Sequence, residues 1–525
     1  MRSLLRRSFV FVHRWLGAAL SVVLTLWFVS GIVMMYWSYP AVSIGDRLLR
    51  APTLRAADVK FSAEQVFDGP LEQQPADVTL TSFDGRPAYL GGGRLVYADT
   101  ATPQLAVDDA LLDRAAAAWS GQPLVLAAKQ SVEAVDQWTL SSSLRNLRPL
   151  YKYSWPDGQQ VYVHGGSGEV VQYTTTASRF WAYLGAIPHW LYIPALRTQD
   201  AGWLRFMMWS ALLGVVTAVL GIAVAAWMYS PRKRYQYAGQ PSSIPYRGWK
   251  RWHTVIGLAV GVIATTWSFS GLMSLEPFNL EQRLTDLTAP APQERDADSM
   301  QAFIRMADIL RGGRLPFSAY AAKSPAAAIA SVPDFEVKEL EYASIDGTAI
   351  YVLMNARGET RIVPIQGSPF AGFDGPAIIQ RLRAAAGGVA TELQVLDRYD
   401  AYYRDRRGAL PLPVIKIQMR DSVGSRYYVD PKTATIVGSH SGREWVRRWL
   451  YQGLHSLDFP WLYNHRPLWD IVVITLLLGG TALCVTSLVL TWRVVARKAA
   501  ALVAARIGHP ADQLVLDVEG ARPRT

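Results

Sequence analysis

Four apolar runs, 16–36, 206–228, 255–275 and 471–492, contain no charged residue, and they limit this chain more than any other feature. Each holds about 20 residues, enough at about 1.5 Å per residue to cross a hydrocarbon layer roughly 30 Å thick. Backbone groups in lipid must be satisfied internally, so four such runs predict four transmembrane helices. Arg2, Arg6 and Arg7 precede the first run, but its far end is Met34-Met35-Tyr36-Trp37, too bulky for a signal-peptidase site. The first run therefore reads as an uncleaved signal-anchor.

Charge orients the runs. Residues 1–15, 229–252 and 493–525 carry net charges of +4, +6 and +3, against +11 for the whole chain. By the positive-inside rule both termini and the 230–252 loop face the cytoplasm. The high isoelectric point is thus a topology signal and does not point to nucleic acid. The expected layout is 1–40 (amino terminus and first span), 41–202 (external), 203–229 (second span) and 230–252 (basic loop). It continues with 253–278 (third span), 279–467 (external), 468–492 (fourth span) and 493–525 (cytoplasmic tail).

The chain also repeats itself. His13, Gly17, Trp27, Ser30 and Gly31 recur 240 residues later as His253, Gly257, Trp267, Ser270 and Gly271. Further along, Tyr162-Val163, His189, Trp203 and Gly214 recur at an offset of 266 as Tyr428-Val429, His455, Trp469 and Gly480. A fixed offset of this kind predicts two similar halves with the same membrane orientation, related by an axis along the membrane normal.

Between the spans, alternation predicts strands at 77–81, 94–97, 138–140, 151–155 and 160–164, with Asp157-Gly158 as a hairpin turn and a helix over 109–119. The second half shows strand patterns at 349–354, 412–419 and 425–433 and helix patterns at 300–310 and 375–386. Both external segments thus read as α+β modules. Trp190, Tyr192, Trp203, Trp461, Tyr463 and Trp469 suit an interfacial aromatic belt. The single cysteine, Cys484, lies in the fourth apolar run and can form no intramolecular disulfide.

The stretch Tyr427-Tyr428-Val429-Asp430-Pro431-Lys432-Thr433, then Trp449-Leu450-Tyr451-Gln452-Gly453-Leu454-His455-Ser456, then Arg466-Pro467-Leu468-Trp469-Asp470, resembles the PepSY-associated transmembrane proteins of bacteria. His13-Arg14-Trp15-Leu16-Gly17 supports the same resemblance, which covers nearly the whole chain. It implies a four-helix membrane bundle in two parallel repeats with two α+β PepSY-like periplasmic domains. It further implies a haem-carrying inner-membrane oxidoreductase that reduces a ferric siderophore or another ferric chelate to release iron. The electron donor is left open between a quinol and a cytoplasmic reductase. The alternative is a non-enzymatic membrane anchor whose PepSY domains bind a peptidase or other envelope partner.

Only four of the eight histidines are paired by the repeat: His13 with His253, and His189 with His455. The layout puts the first two at the cytoplasmic face and the other two at the outer face, giving a pair of candidate axial ligands for a haem b at each side. Gly17 and Gly31, and likewise Gly257 and Gly271, are 14 residues apart, close to four helical turns. They could admit a flat macrocycle near each membrane face, or serve helix packing instead. Two histidines per site, with no repeated Cys, Met or carboxylate nearby, fall short of a zinc or copper shell. The spans carry no ionisable residue at mid-membrane, against a proton- or ion-coupled carrier. Trp27 and Trp267 read as macrocycle contacts or core. The 399–407 run, with Tyr399, Tyr402, Tyr403, Arg404, Arg406 and Arg407, reads as a contact for an anionic chelate or as a solvated loop.

Overall fold

The computed structural model describes residues 2–277, 301, 306, 310–385, 390–406, 408–421 and 424–507. The expected 300–310 helix, Ala386, Arg407, His509 and the end of the carboxy-terminal tail lie largely or wholly outside these residues. The described chain forms two compact units, one of residues 1–39, 181–279 and 447–525, the other of 40–180 and 280–446.

The first unit is helical. Its long helices are α1 (Arg2–Met34), α4 (Asp200–Met228), α5 (Gly248–Met273) and α8 (Leu468–Ile507). All four are long and apolar enough to cross a membrane, with mean hydropathies of 2.2, 2.3, 1.7 and 2.3 over their most apolar stretches. Each begins before its apolar run, because helix continues where polar residues replace apolar ones, while α1 and α5 end two residues short of theirs. Helices α1 and α5 each pack along both α4 and α8, so they occupy opposite corners of a four-helix bundle. Close approach is achieved with glycine: a Cβ on Gly480 of α8 would lie 2.1 Å from the Phe28 ring of α1. Two short helices, α3 (Ala186–Trp190) and α7 (Leu454–Ser456), pack against α1 and α5 respectively. The basic loop folds into a small hairpin of β8 (Tyr235–Tyr237) and β9 (Gln240–Ser242), tied by Arg251 donating to Ser242 Oγ at 3.0 Å.

The second unit is α+β. The first segment supplies β1 (Val78–Phe83), β2 (Arg86–Gly91), β3 (Arg94–Tyr97), β4 (Ala128–Ser131), β5 (Leu150–Ser154), β6 (Gln160–His164) and β7 (Val170–Thr174). The second supplies β10 (Glu339–Ile345), β11 (Thr348–Met354), β12 (Thr360–Pro364), β13 (Ala390–Leu396), β14 (Val414–Met419), β15 (Arg426–Asp430) and β16 (Thr435–His440). The β1–β2 and β10–β11 hairpins both turn on Asp-Gly, with Asp84 and Gly85 at φ 52° and 73° and Asp346 and Gly347 at 51° and 68°. Positive φ at both turn positions suits the twist of the flanking strands.

One six-stranded sheet runs β12-β11-β10-β1-β2-β3, so the two segments join edge to edge through β1 and β10. Its core draws on both, with Leu80 and Tyr89 from one and Leu340 and Tyr351 from the other fully buried. Each segment also forms its own antiparallel four-stranded meander, β4-β5-β6-β7 and β13-β14-β15-β16, covered by a helix. Leu112 and Ala116 of α2 (Asp109–Ser120) pack on the first meander, and Ile378 and Leu382 of α6 (Gly375–Ala385) on the second. Asp108 caps α2 by accepting from Leu111 N–H at 2.7 Å.

Two expectations change. The strand over 138–140 is instead a turn, because the Asp136 carboxylate captures Trp138 N–H at 3.0 Å and the Thr139 hydroxyl at 2.9 Å. In the 399–407 run the tyrosines are packed into the fold, while Arg406 is exposed. Tyr403 is 1 % exposed and stacks on Tyr428 with centroids 4.8 Å apart, while Asp400 accepts from Tyr402 and Tyr403 N–H at 2.8 Å. Tyr399 and Tyr403 donate to the Leu410 and Pro411 carbonyls. Its tyrosines are structural.

Candidate functional site

The bundle brings the four repeated histidines together as two pairs. The rings of His13 and His253 have centroids 6.1 Å apart with planes 41° apart, and those of His189 and His455 are 6.0 Å and 72° apart. His13 and His253 project from α1 and α5, the two helices on opposite corners, and meet across the middle.

The second pair arrives from outside the long helices. His189 sits in α3, which ends two residues later at Leu191 in the left-handed conformation (φ 49°, ψ 46°). His455 sits in α7, which ends two residues later at Leu457 (φ 51°, ψ 38°). An indole closes each turn: Trp203 Nε1 donates to the Trp190 carbonyl at 2.8 Å, and Trp469 Nε1 to the Ser456 carbonyl at 3.1 Å. These two tryptophans, expected as interfacial anchors, fix the backbone beside the histidines.

Each imidazole is held through Nδ1. The His13 Nδ1–H donates to the Thr217 carbonyl at 2.9 Å, and a carbonyl can only accept. His253 Nδ1 lies 2.9 Å from Thr486 Oγ1, whose own proton goes to the Leu483 carbonyl at 2.7 Å. His189 and His455 Nδ1 lie 3.0 Å from the hydroxyls of Ser30 and Ser270. All four rings therefore carry the proton on Nδ1 and the lone pair on Nε2, as metal-binding histidines do. Burial of the His189 ring pulls its pKa down to about 4, which keeps it neutral at ordinary pH.

Two of the four singled-out glycines face a ring. A Cβ at Gly31 would lie 3.9 Å from His189 Cε1 and 3.2 Å from Leu477, and one at Gly271 would lie 3.7 Å from His455 Cε1. Gly17 and Gly257 instead face the Thr217 and Leu483 side chains, at 3.8 and 3.6 Å. Sequence reasoning missed Gly221, where a Cβ would come within 2.7 Å of His13 Cε1. It also missed Thr217, which acts through its backbone, and Thr486. The equivalent of Gly221 at the 266 offset is Ser487, so no repeat marks it.

A metal bound to two imidazoles at about 2 Å from each nitrogen puts the ring centroids on the order of 6 Å apart. Both pairs meet that spacing. Among the described residues no group of three or more His, Cys, Asp or Glu comes together. A metal between these rings would need its remaining ligands from outside the protein, and a macrocycle supplies four in one plane. An apolar groove of about 490 Å³, lined by Trp249, Trp252, Ile256, Ala482 and Val485, reaches Thr486 beside His253. Trp27 Nε1 is buried without a hydrogen-bond partner, Trp267 packs on Phe28 at 5.6 Å, and Cys484 is buried and free. The residues present fit haem.

His13 and Ser30 are 17 residues apart on α1, as are His253 and Ser270 on α5, or about 25 Å of helix. The two pairs therefore lie toward opposite ends of the apolar spans. No protein-family model matches this chain, and no curated protein matches it.

Proposed function

We propose that the chain is a multi-pass protein of the bacterial inner membrane, akin to the PepSY-associated family, that holds two haems b and reduces ferric siderophores or other ferric chelates on the periplasmic side. The observation that carries this reading is the set of four histidines in two facing pairs, each with Nδ1 held by a hydrogen bond. Haem, when bound by these histidines, would supply one-electron chemistry at each end of the bundle.

The chain's own residues do the rest. His13 and His253 would hold the cytoplasmic-side haem, and His189 and His455 the periplasmic-side haem. The charge-free spans exclude water between them, and the cationic amino terminus and basic loop fix which end faces the cytoplasm. The α+β unit, read as PepSY-like repeats, receives the chelate. An electron supplied by a quinol or a cytoplasmic reductase converts the ferric chelate to ferrous, and ferrous iron binds hard oxygen donors less tightly than ferric iron, so reduction releases it.

An absorption spectrum of the detergent-purified protein, made in cells with ample haem, tests the reading. A Soret band is expected, with reduced protein reoxidised on addition of a ferric chelate. A colourless protein would instead favour the membrane-anchor alternative and overturn this one.

A further inference from the structure

His189 and His455 share a hydrogen-bonding arrangement that the first pair lacks. Each Nδ1 meets a serine hydroxyl, and each serine is followed by a glycine lying against the ring edge. The serine protons are already used. Ser30 Oγ donates to the Leu26 carbonyl at 2.5 Å, and Ser270 Oγ to the Trp267 carbonyl at 3.1 Å. A hydroxyl so committed can only accept from the imidazole, and the bond it donates strengthens the one it accepts.

Resting on the haem reading above, we propose that Ser30 and Ser270 are positioning residues that set the ring plane, tautomer and donor strength of His189 and His455. They thereby tune the potential of the second centre independently of the first. An acceptor on Nδ1–H pushes electron density toward Nε2, which favours ferric over ferrous iron and lowers the potential. Removing that acceptor raises it, and less so at His189, whose ring also hydrogen-bonds the Trp27 carbonyl. At the first pair, His13 leans on the Thr217 main chain, which no side-chain substitution removes, so that centre serves as an internal reference.

The test is a spectroelectrochemical titration of the full-length, haem-loaded protein carrying Ser30→Ala, Ser270→Ala, Ser30→Thr or Ser270→Thr. Ser270→Ala is expected to shift one of the two redox steps upward by about tenfold in its equilibrium constant, about 59 mV for a one-electron couple, leaving the other in place, and Ser30→Ala to shift the same step in the same direction by less, since the Trp27 carbonyl remains beside His189. The threonine variants, which keep the hydroxyl, should titrate like the parent. Loss of one haem in an alanine variant, restored in its threonine counterpart, supports the same assignment. Full haem with both potentials unmoved in the alanine variants overturns it, as does a common shift of both steps or haem loss in alanine and threonine variants alike. A parent protein without a Soret band overturns the haem reading itself, a failure visible before any titration.

Discussion

The two histidine pairs reach nearly the same ring separation, 6.1 and 6.0 Å, by different constructions. In the first, both rings belong to the spanning helices and are steadied by α4 and α8, through Thr217 and Thr486. In the second, both rings ride on short helices ended by a left-handed leucine and are steadied by serines of α1 and α5. A pair built into the long helices shares their rigidity. One delivered by short helices depends on local clasps, here the indole bonds of Trp203 and Trp469.

The sharpest way to break the comparison is to delete one ring from each pair. His13→Ala and His189→Ala should each lose about half the haem and the double variant all of it, by pyridine haemochrome assay; a full complement in either single variant would refute the ligand assignment. Next in size is Gly221→Ala. Its methyl would stand 2.7 Å from His13 Cε1, so overpacking of about 1–3 kcal/mol should fall on the first pair and lower haem occupancy there. Gly271→Ala, with 3.7 Å to His455, should be nearly neutral in the same assay. Trp469→Phe removes one clasp and should cost about 1 kcal/mol, seen as faster haem loss from the second pair alone.

The smallest effect belongs to the α+β unit. Burial raises the pKa values of Glu339 and Glu341. An acid with a raised folded pKa binds protons more readily in the native state, so its contribution to stability falls as pH rises from its unfolded value through the folded one. Thermal melts should show a modest stability loss across that window, and Glu341→Gln should flatten it.

Much of the membrane unit was legible in the sequence because lipid leaves a chain few options. The four spans and the equivalence of the four histidines followed from hydropathy and a fixed offset. What stayed hidden had no side-chain signature of its own. The acceptor for His13 is a main-chain carbonyl, and Gly221 matters only because a ring from another helix lies over it. Ser30 and Ser270 stood in the repeat, yet their partners lie 159 and 185 residues away in sequence, so their role needed the fold. The join of β1 to β10 was equally unreadable, since no turn links strands so distant and alternation names a strand without naming its neighbour.

That join sets the smallest unit that can be complete. A single half would carry one histidine of each pair and would leave β1 or β10 as an open sheet edge, unpaired at Thr79 and Leu80 or at Leu340 and Glu341. Open edges invite pairing with another chain. Two separately made halves would thus be drawn to pair along that edge, and neither half alone could complete a histidine pair.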